Sequence, residues 1–350
     1  MKKQRAVLDD YKKREREKYN ARVKYWAVYF PKALDLVERV ITNNGSVDWE
    51  QLEIAARFTI DNRDVMSRKT TYARKDDLLL YCQAKNPHSL ELGGVYPAGF
   101  ENRADQRKLR RLINITGPLV LDIDMDDYHC KGLRSGICNC AKKEVCRICW
   151  NILLEPGRKV LDMLLRKSFG FKRLFYIFSG RRGYHCWIVD DRVWNWTREQ
   201  RETFMVQLSH RPRGGCLVNN QIVNMLKPVW KRELLQNLNS TTNKKMKELR
   251  LAMPEEEYVE AEKQAIWDAL FPKLDADVSL DACHLKKIFL SPHLKTQRVT
   301  IPLPPFDCEF DFDPLLHVPQ MKDIDMYMMD QYVQQIENAL NNNNNNNVTK

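Results

Sequence analysis

Apolar residues recur along this chain with two periods, one near 3.6 and one near 2, and the two periods predict different elements. Helical spacing is read over residues 30–40, 49–57 and 150–167. In the last, Ile152, Leu153, Val160, Met163, Leu164 and Leu165 carry the pattern, and Pro156-Gly157 interrupts it. Further amphipathic helices are predicted at 196–209, 222–238 and 255–270, with a Met/Tyr-rich helix at 321–340. Short apolar runs bounded by turn residues predict strands. They are Leu90-Glu-Leu-Gly-Gly-Val-Tyr96, the run entering Asp122 from Pro118, residues 173–178, the segment after Gly183 up to Asp191, and 299–302. Residues 64–81 read as strand and turn with a basic edge of Arg68, Lys69 and Arg74; the sheet is expected to resume over 271–279, and 303–320 to be extended. Seven consecutive Asn, 341–347, cannot pack a core and read as a disordered tail.

Composition narrows the partners. At 350 residues, with 43% hydrophobic and 29% charged residues, the chain is ordinary for a globular protein, but its 57 Lys+Arg against 46 Asp+Glu leave +11. That excess points to polyanions. Residues 1–24, with ten Lys/Arg and four acids, read as a basic helix whose charge is a solvated face. No run of 18 apolar residues suggests a membrane span, and the basic N-terminus lacks the apolar stretch of a secretory signal. Ten cysteines, five of them between 130 and 149, read as a metal site in a reducing compartment.

Three constellations carry chemistry. In Pro118-Leu-Val-Leu-Asp-Ile-Asp-Met-Asp-Asp-Tyr128, a buried strand delivers Asp122 and Asp124 to one face, about 7 Å apart. Two carboxylates converging there invite a hard divalent ion, Mg²⁺ or Mn²⁺; an acidic, solvated turn is the plainer alternative. Asp275 or Asp277 is placed to add a third carboxylate. Cys138, Cys140, Cys146 and Cys149 form two short chelating clips for a structural Zn²⁺, with Cys130 as a spare and His129 as a substitute. Ser179-Gly-Arg-Arg-Gly-Tyr-His185 is a turn whose glycines free the backbone while Arg181, Arg182 and His185 present donors to phosphate oxygens.

These motifs, with Leu274-Asp-Ala-Asp-Val-Ser279, His284-Leu-Lys-Lys287 and Ser291-Pro-His-Leu-Lys-Thr296, resemble in order the catalytic small subunit of archaeal and eukaryotic DNA primases, over roughly 25–302. Cys146-Arg-Ile-Cys-Trp150 and His185-Cys-Trp187 follow the eukaryotic branch. The resemblance implies an α+β, mixed-sheet primase fold with a zinc motif within 130–149. The catalytic core would take 1–191 and 271–320, with a helical subdomain at 192–270, a C-terminal helix at 321–340 and the tail at 341–350. It implies metal-binding aspartates at Asp122, Asp124 and Asp275, and nucleotide contacts at Arg68, Glu91, Ser179, Arg181, Arg182, His185, Lys287 and His293. Glu91 stands where the family has an Asp that contacts the ribose.

Two departures stand out. Ala55-Ala-Arg-Phe58 replaces an Arg-Glu-Phe motif, removing a glutamate, and Gln297 replaces a glycine. The activity implied is RNA primer synthesis on single-stranded DNA from nucleoside triphosphates, with two Mg²⁺ or Mn²⁺ ions. The partners implied are an iron–sulfur large subunit and the DNA polymerase α complex in the nucleus. Rival expectations are a primase-polymerase of repair and lesion bypass, and a non-catalytic zinc-containing nucleic-acid-binding module.

Overall fold

The computed structural model describes residues 2–61, 63–68, 71–97, 115–131, 145–209, 248, 250–259, 261–262, 271–306 and 312–341. Helix α1 (Lys2–Lys24) is exposed throughout 9–20, as a helix polar all round must be, and enters the fold through a π-turn, Tyr25–Tyr29. Its aromatic residues Tyr25, Trp26 and Tyr29 are buried: Trp26 donates from Nε1 to the Pro87 carbonyl at 2.8 Å, and Tyr25 donates its hydroxyl to the Leu290 carbonyl. Helix α2 (Pro31–Ile41) has proline in its first turn and buries Ala33, Leu34, Leu36, Val37, Val40 and Ile41.

Two antiparallel sheets follow. One has the strand order β2-β1-β3-β7, from β1 (Leu52–Ile60), β2 (Arg63–Ser67), β3 (Ser89–Val95) and β7 (Lys286–Lys287). The other has the order β4-β6-β5, from β4 (Leu119–Asp124), β5 (Leu174–Phe178) and β6 (Gly183–Ile188). Strand β6 buries every residue, Trp187 and Tyr184 fully, so both faces of the second sheet are covered. Among the described residues the pairing is antiparallel in both sheets, so the expected mixed sheet is corrected.

Other expectations are corrected for physical reasons. The helix expected over 49–57 is a single 3-10 turn, Trp49–Gln51, followed by β1. The period of two is present in the sequence, Leu52, Ile54, Ala56, Phe58 and Ile60 alternating with Glu53, Ala55, Arg57 and Thr59, and it is this strand pattern that the fold follows. Only the edge strand β2 survives from the strand and turn material expected over 64–81; α3 (Lys75–Lys85) opens with Asp76 and Asp77 at its positive N-terminus and closes on Asn86 in the left-handed region (φ 50°).

Pro156-Gly157 does not interrupt the helix at 150–167. The chain stays helical over 147–168, and Pro156 sits in the first turn of α4 (Glu155–Met163), just where a preceding π-turn, Trp150–Leu154, hands over to α-helical bonding. Residues 271–279 supply one bridge, Asp122 to Asp275, and then a short helix, α6 (Ala276–Leu280). Helix α5 (Arg198–Ser209) packs on the core: the buried Arg201 guanidinium donates to Gly117 O (2.8 Å) and Ser279 O (3.4 Å). The C-terminal helix, α7 (Met326–Asn341), starts after a 3-10 turn at Met321–Asp323. The helix expected at 222–238, most of 255–270 and nearly all of the Asn tail lie outside the described residues.

Candidate functional site

Strand β4 is held between β6 and the loop before α6, and that loop completes an acidic cluster. In register, Asp122 faces His185 and Asp124 faces Gly183. On the other side, the Asp275 N–H donates to the Asp122 carbonyl at 3.0 Å, and Ser279 Oγ donates to Val120 O at 3.1 Å. Residues more than 150 positions apart are thereby clamped backbone to backbone, and of the two candidates for a third carboxylate it is Asp275 that is brought to Asp122. Asp277 lies on α6, where its N–H is capped by Asp275 Oδ1 at 3.0 Å.

Burial, then the neighbouring Asp124 and Asp275 carboxylates, push the Asp122 carboxyl up to about 7. Its one ion-pair neighbour among the described residues is His185, with Nε2 3.4 Å from Oδ1. Burial, and next the Lys287 ammonium, push that imidazole down to about 4, so it is neutral at physiological pH and its attraction is weak. Asp124 is compensated differently: Oδ2 accepts from Arg182 at 2.9 Å and Oδ1 accepts the Asp126 N–H at 2.9 Å. Arg182 also reaches Asp126. As the side chains stand, no group of three or more His, Cys, Asp or Glu that would hold a metal ion occurs among the described residues. The reason is visible in those bonds: Asp124 is drawn to Arg182, and Asp275 to its own helix end.

The turn from β5 to β6 abuts the cluster. Gly180 has φ +91°, a conformation that favours glycine, and a Cβ there would lie 2.6 Å from His293 Cβ. Ser179 closes the turn, donating its N–H to Gly183 O (2.9 Å) and accepting at Oγ from Gly183 N (3.2 Å). Thr296 Oγ1 donates to Gly180 O at 2.6 Å, which seats the 293–297 loop on the turn. His293 Nδ1 accepts from Lys295 N (3.2 Å) and Thr296 N (3.4 Å), so the ring proton belongs on Nε2. Burial, followed by Lys287 and Arg181, pushes His293 down to about 3. Gln297 occupies φ +60°, a left-handed position where glycine is the unstrained choice, which gives the departure noted in the sequence a backbone meaning. Its side chain compensates by donating to Leu294 O at 2.8 Å.

A cavity of about 400 Å³ opens beside His185, walled by Arg57, Arg68, Glu91, His284 and Lys287. Lys287 on β7 pairs in register with Glu91 on β3, and Nζ lies 3.5 Å from Oε1. Arg57 grips the same carboxylate from β1 with two bonds, Nε to Oε1 at 2.6 Å and Nη2 to Oε2 at 3.2 Å. Arg68 is tied by Nε to the fully buried Glu53 at 2.5 Å, and Tyr96 donates its hydroxyl to the other Glu53 oxygen at 3.1 Å. Gly93 makes room for that buried acid: a Cβ there would meet Glu53 Oε2 at 2.3 Å.

Of the residues singled out in the sequence, Asp122, Asp124, Asp275, Ser179, Arg181, Arg182, His185 and His293 therefore gather at one hairpin and its neighbours. Arg68, Glu91 and Lys287 line the adjoining cavity, with His185 common to both groups. Arg57 and Glu53 were missed. Predicting a helix over 49–57 concealed that Arg57 and Ala55 share the strand face opposite Glu91. In the cysteine cluster, Cys149 donates its N–H to Cys146 Sγ at 3.5 Å. Cys138 and Cys140, and the side chains of His129 and Cys130, lie outside the described residues.

The family model for the DNA primase small subunit matches residues 121–305, which runs from β4 past the His293 loop. The DNA primase small subunit of Schizosaccharomyces pombe is 26% identical over 344 residues, covering 81% of this chain and 71% of that protein. Those of Caenorhabditis elegans and Saccharomyces cerevisiae are 31% and 33% identical over 169 and 138 residues, covering 47% and 39% of this chain but only 38% and 32% of theirs. With more than half of its length matched by that model, the chain belongs to the DNA primase small subunit family of nucleotidyltransferases.

Proposed function

We propose that this chain synthesises short RNA primers on a single-stranded DNA template during replication. The observation that carries the reading is the backbone clamp that sets Asp275 beside Asp122 and Asp124, a hairpin away from Arg181, Arg182 and His293. Asp122 is a half-buried carboxylate raised by its surroundings and then by its like-charged neighbours, and its ion-pair neighbour among the described residues is a neutral imidazole, so it is short of positive charge. Three hard oxygen donors with that deficit fit Mg²⁺ or Mn²⁺, and Asp122, Asp124 and Asp275 would hold two such ions. When bound, they would supply Lewis-acid activation of the attacking 3′-hydroxyl and neutralise the departing pyrophosphate.

The chain's own side chains do the rest. Arg181, Arg182, Lys287 and Arg68 offer charge-assisted donors to the triphosphate, and His293 adds an Nε2–H. Glu91 accepts from the ribose. Ser179 keeps the turn closed, and His185 keeps its neutral ring between the carboxylates and the cavity. Holding the triphosphate at several points aligns the α-phosphorus for in-line attack, which lowers the entropic part of the barrier. The template would lie on basic surface through phosphate contacts, and base pairing would choose the nucleotide.

The family resemblance extends the proposal to an iron–sulfur large subunit, the polymerase α complex and the nucleus. For Cys138, Cys140, Cys146 and Cys149 we propose a structural Zn²⁺; what supports it is the Cys149 N–H donated to Cys146 sulfur at 3.5 Å, which closes the C-x-x-C clip into the turn a metal would need. Metal analysis of the purified chain should find one zinc per molecule. A value below about half would reject the site.

The test of the main reading is template-dependent incorporation by the full chain. Radiolabelled ribonucleotides should enter short products only with a single-stranded template and Mg²⁺ or Mn²⁺. Preference for deoxynucleotides would favour the repair polymerase instead. Nucleic-acid binding with no divalent-dependent nucleotide affinity would favour the non-catalytic module.

A further inference from the structure

A charged contact that the mechanism above leaves without a reason lies on the first sheet, between Arg57 and Glu91. Strand register places Ala55 opposite Glu91 and Arg57 opposite Ser89, and residues two apart on a strand share a face. Arg57 therefore reaches Glu91 on the diagonal. It arrives with its Nε edge, one donor to each carboxylate oxygen, and Nη1 is anchored a second time to Asp64 Oδ2 at 3.3 Å. Glu91 is 6% exposed, and although burial alone would raise it, Lys287 and Arg57 hold its carboxyl below the ordinary value.

A carboxylate offers two acceptor positions on each oxygen. On Oε1 one is taken by Arg57 Nε at 2.6 Å, and the Lys287 ammonium lies 3.5 Å from the same oxygen. On Oε2 one is taken by Arg57 Nη2 at 3.2 Å. Acceptor capacity is left over on this carboxylate, which lines the cavity that also holds His185 and Arg68. A glutamate has one more rotatable bond than an aspartate, and a free one would sample several positions for its open lone pairs. The rigid guanidinium fork removes this freedom.

We infer that Arg57 is the positioning residue that sets sugar selectivity: by fixing the orientation of Glu91 at the cavity wall, it lets the site bind a nucleotide carrying a ribose 2′-hydroxyl and disfavour one that lacks it. The inference rests on the primase reading above and adds to it a residue of the Ala55-Ala-Arg-Phe58 segment. A site that supplies a hydrogen-bonding partner for a hydroxyl discriminates against the analogue without it, because the buried acceptor then goes unpaired. Arg57 itself need not touch the sugar.

The experiment compares kcat/KM for a ribonucleotide and its 2′-deoxy counterpart, opposite the same template base, with the full chain. Arg57→Gln should lower the ribo/deoxy ratio about tenfold or more, through KM for the ribonucleotide more than kcat. Arg57→Lys, which keeps the charge but not the fork, should fall between; should Arg57→Gln not fold, a threefold or greater fall in Arg57→Lys carries the test. The double variant Arg57→Gln/Glu91→Gln should be no less selective than Glu91→Gln alone, since the two act as one unit. An unchanged ratio in a folded Arg57 variant, or effects that simply multiply, would overturn the inference while leaving the primase reading intact. A wild-type chain that incorporates neither nucleotide would overturn both.

Discussion

Asp122→Asn is expected to cut primer synthesis on the order of 10³-fold and, in metal-free protein, to raise the melting temperature. The two effects have one origin. Asp122 is an only partly solvated carboxylate (28% exposed) set among Asp124 and Asp275, and its nearest ion-pair neighbour is a neutral histidine. A raised carboxyl pKa means that the folded chain holds a proton between about pH 4 and 7 that the unfolded chain has released. That proton favours folding at acid pH, and the advantage is lost as pH rises through 7. The asparagine, uncharged at all pH, escapes the repulsion, so its benefit should be largest above pH 7 and vanish toward pH 4. Allowing for solvent at this side chain, the gain is about 1–2 kcal/mol.

The charge that destabilises the metal-free cluster is the charge that the proposed ions would need. Removing one of three carboxylates should cost on the order of 10³-fold in synthesis, the scale at which a lost electrostatic contact to the reacting groups is felt. Calorimetry with and without Mg²⁺ reads the other side: Mg²⁺ should raise the melting temperature of wild type and leave Asp122→Asn unmoved. Retained synthesis, or an Mg²⁺ shift that persists in the variant, would dismiss the acidic cluster as the ion site.

A single methyl group at Gly183 should do comparable damage by another route. Gly183 opens β6 directly opposite Asp124, and a Cβ there would lie 1.8 Å from the Ile123 carbonyl oxygen, 2.9 Å from its carbon and 3.0 Å from Asp124 Cα. Those atoms are backbone and cannot swing aside as a side chain would. Gly183→Ala must therefore part β6 from β4, at about 3 kcal/mol or more, above the usual cost of an overpacked core. The same movement disturbs Ser179, whose Oγ accepts from Gly183 N, and the Arg182 to Asp124 bond. We expect a clearly lower denaturation midpoint and, at temperatures where the variant is still folded, KM for the nucleotide raised at least tenfold. Wild-type stability would show that the two strands are not this close. Gly45, where a Cβ would meet nothing within 4 Å, is the control for glycine removal as such, apart from its φ of +81°.

How much of this was readable in advance depends on how local each feature is. The run into Asp122 and Asp124, the hairpin of Ser179 to His185 and the long helices at either end were legible, because an apolar run, a pair of glycines or a 3.6-residue period declares itself within a dozen positions. The helix wrongly expected over 49–57 shows the limit. Strand β1 does alternate, with Leu52, Ile54, Ala56, Phe58 and Ile60 on one face, but a window that ends at 57 cuts that alternation short, and Ala55 and Ala56 favour helix. Pro156 misled in the opposite sense, since a proline stops a helix only where an N–H is needed.

By itself the order of residues determined the chemical inventory: an acidic strand, a glycine-flanked arginine pair, a cysteine cluster and a basic excess, all properties of adjacent residues. Only the tertiary structure decided which of them meet. The choice of Asp275 over Asp277, the His293 ring against Gly180, and the Arg57 fork on Glu91 all arise from strand registers and loop contacts that join positions 34 to 153 residues apart. Such pairings are set by burial and hydrogen bonding over the whole core, and no short window of sequence contains them.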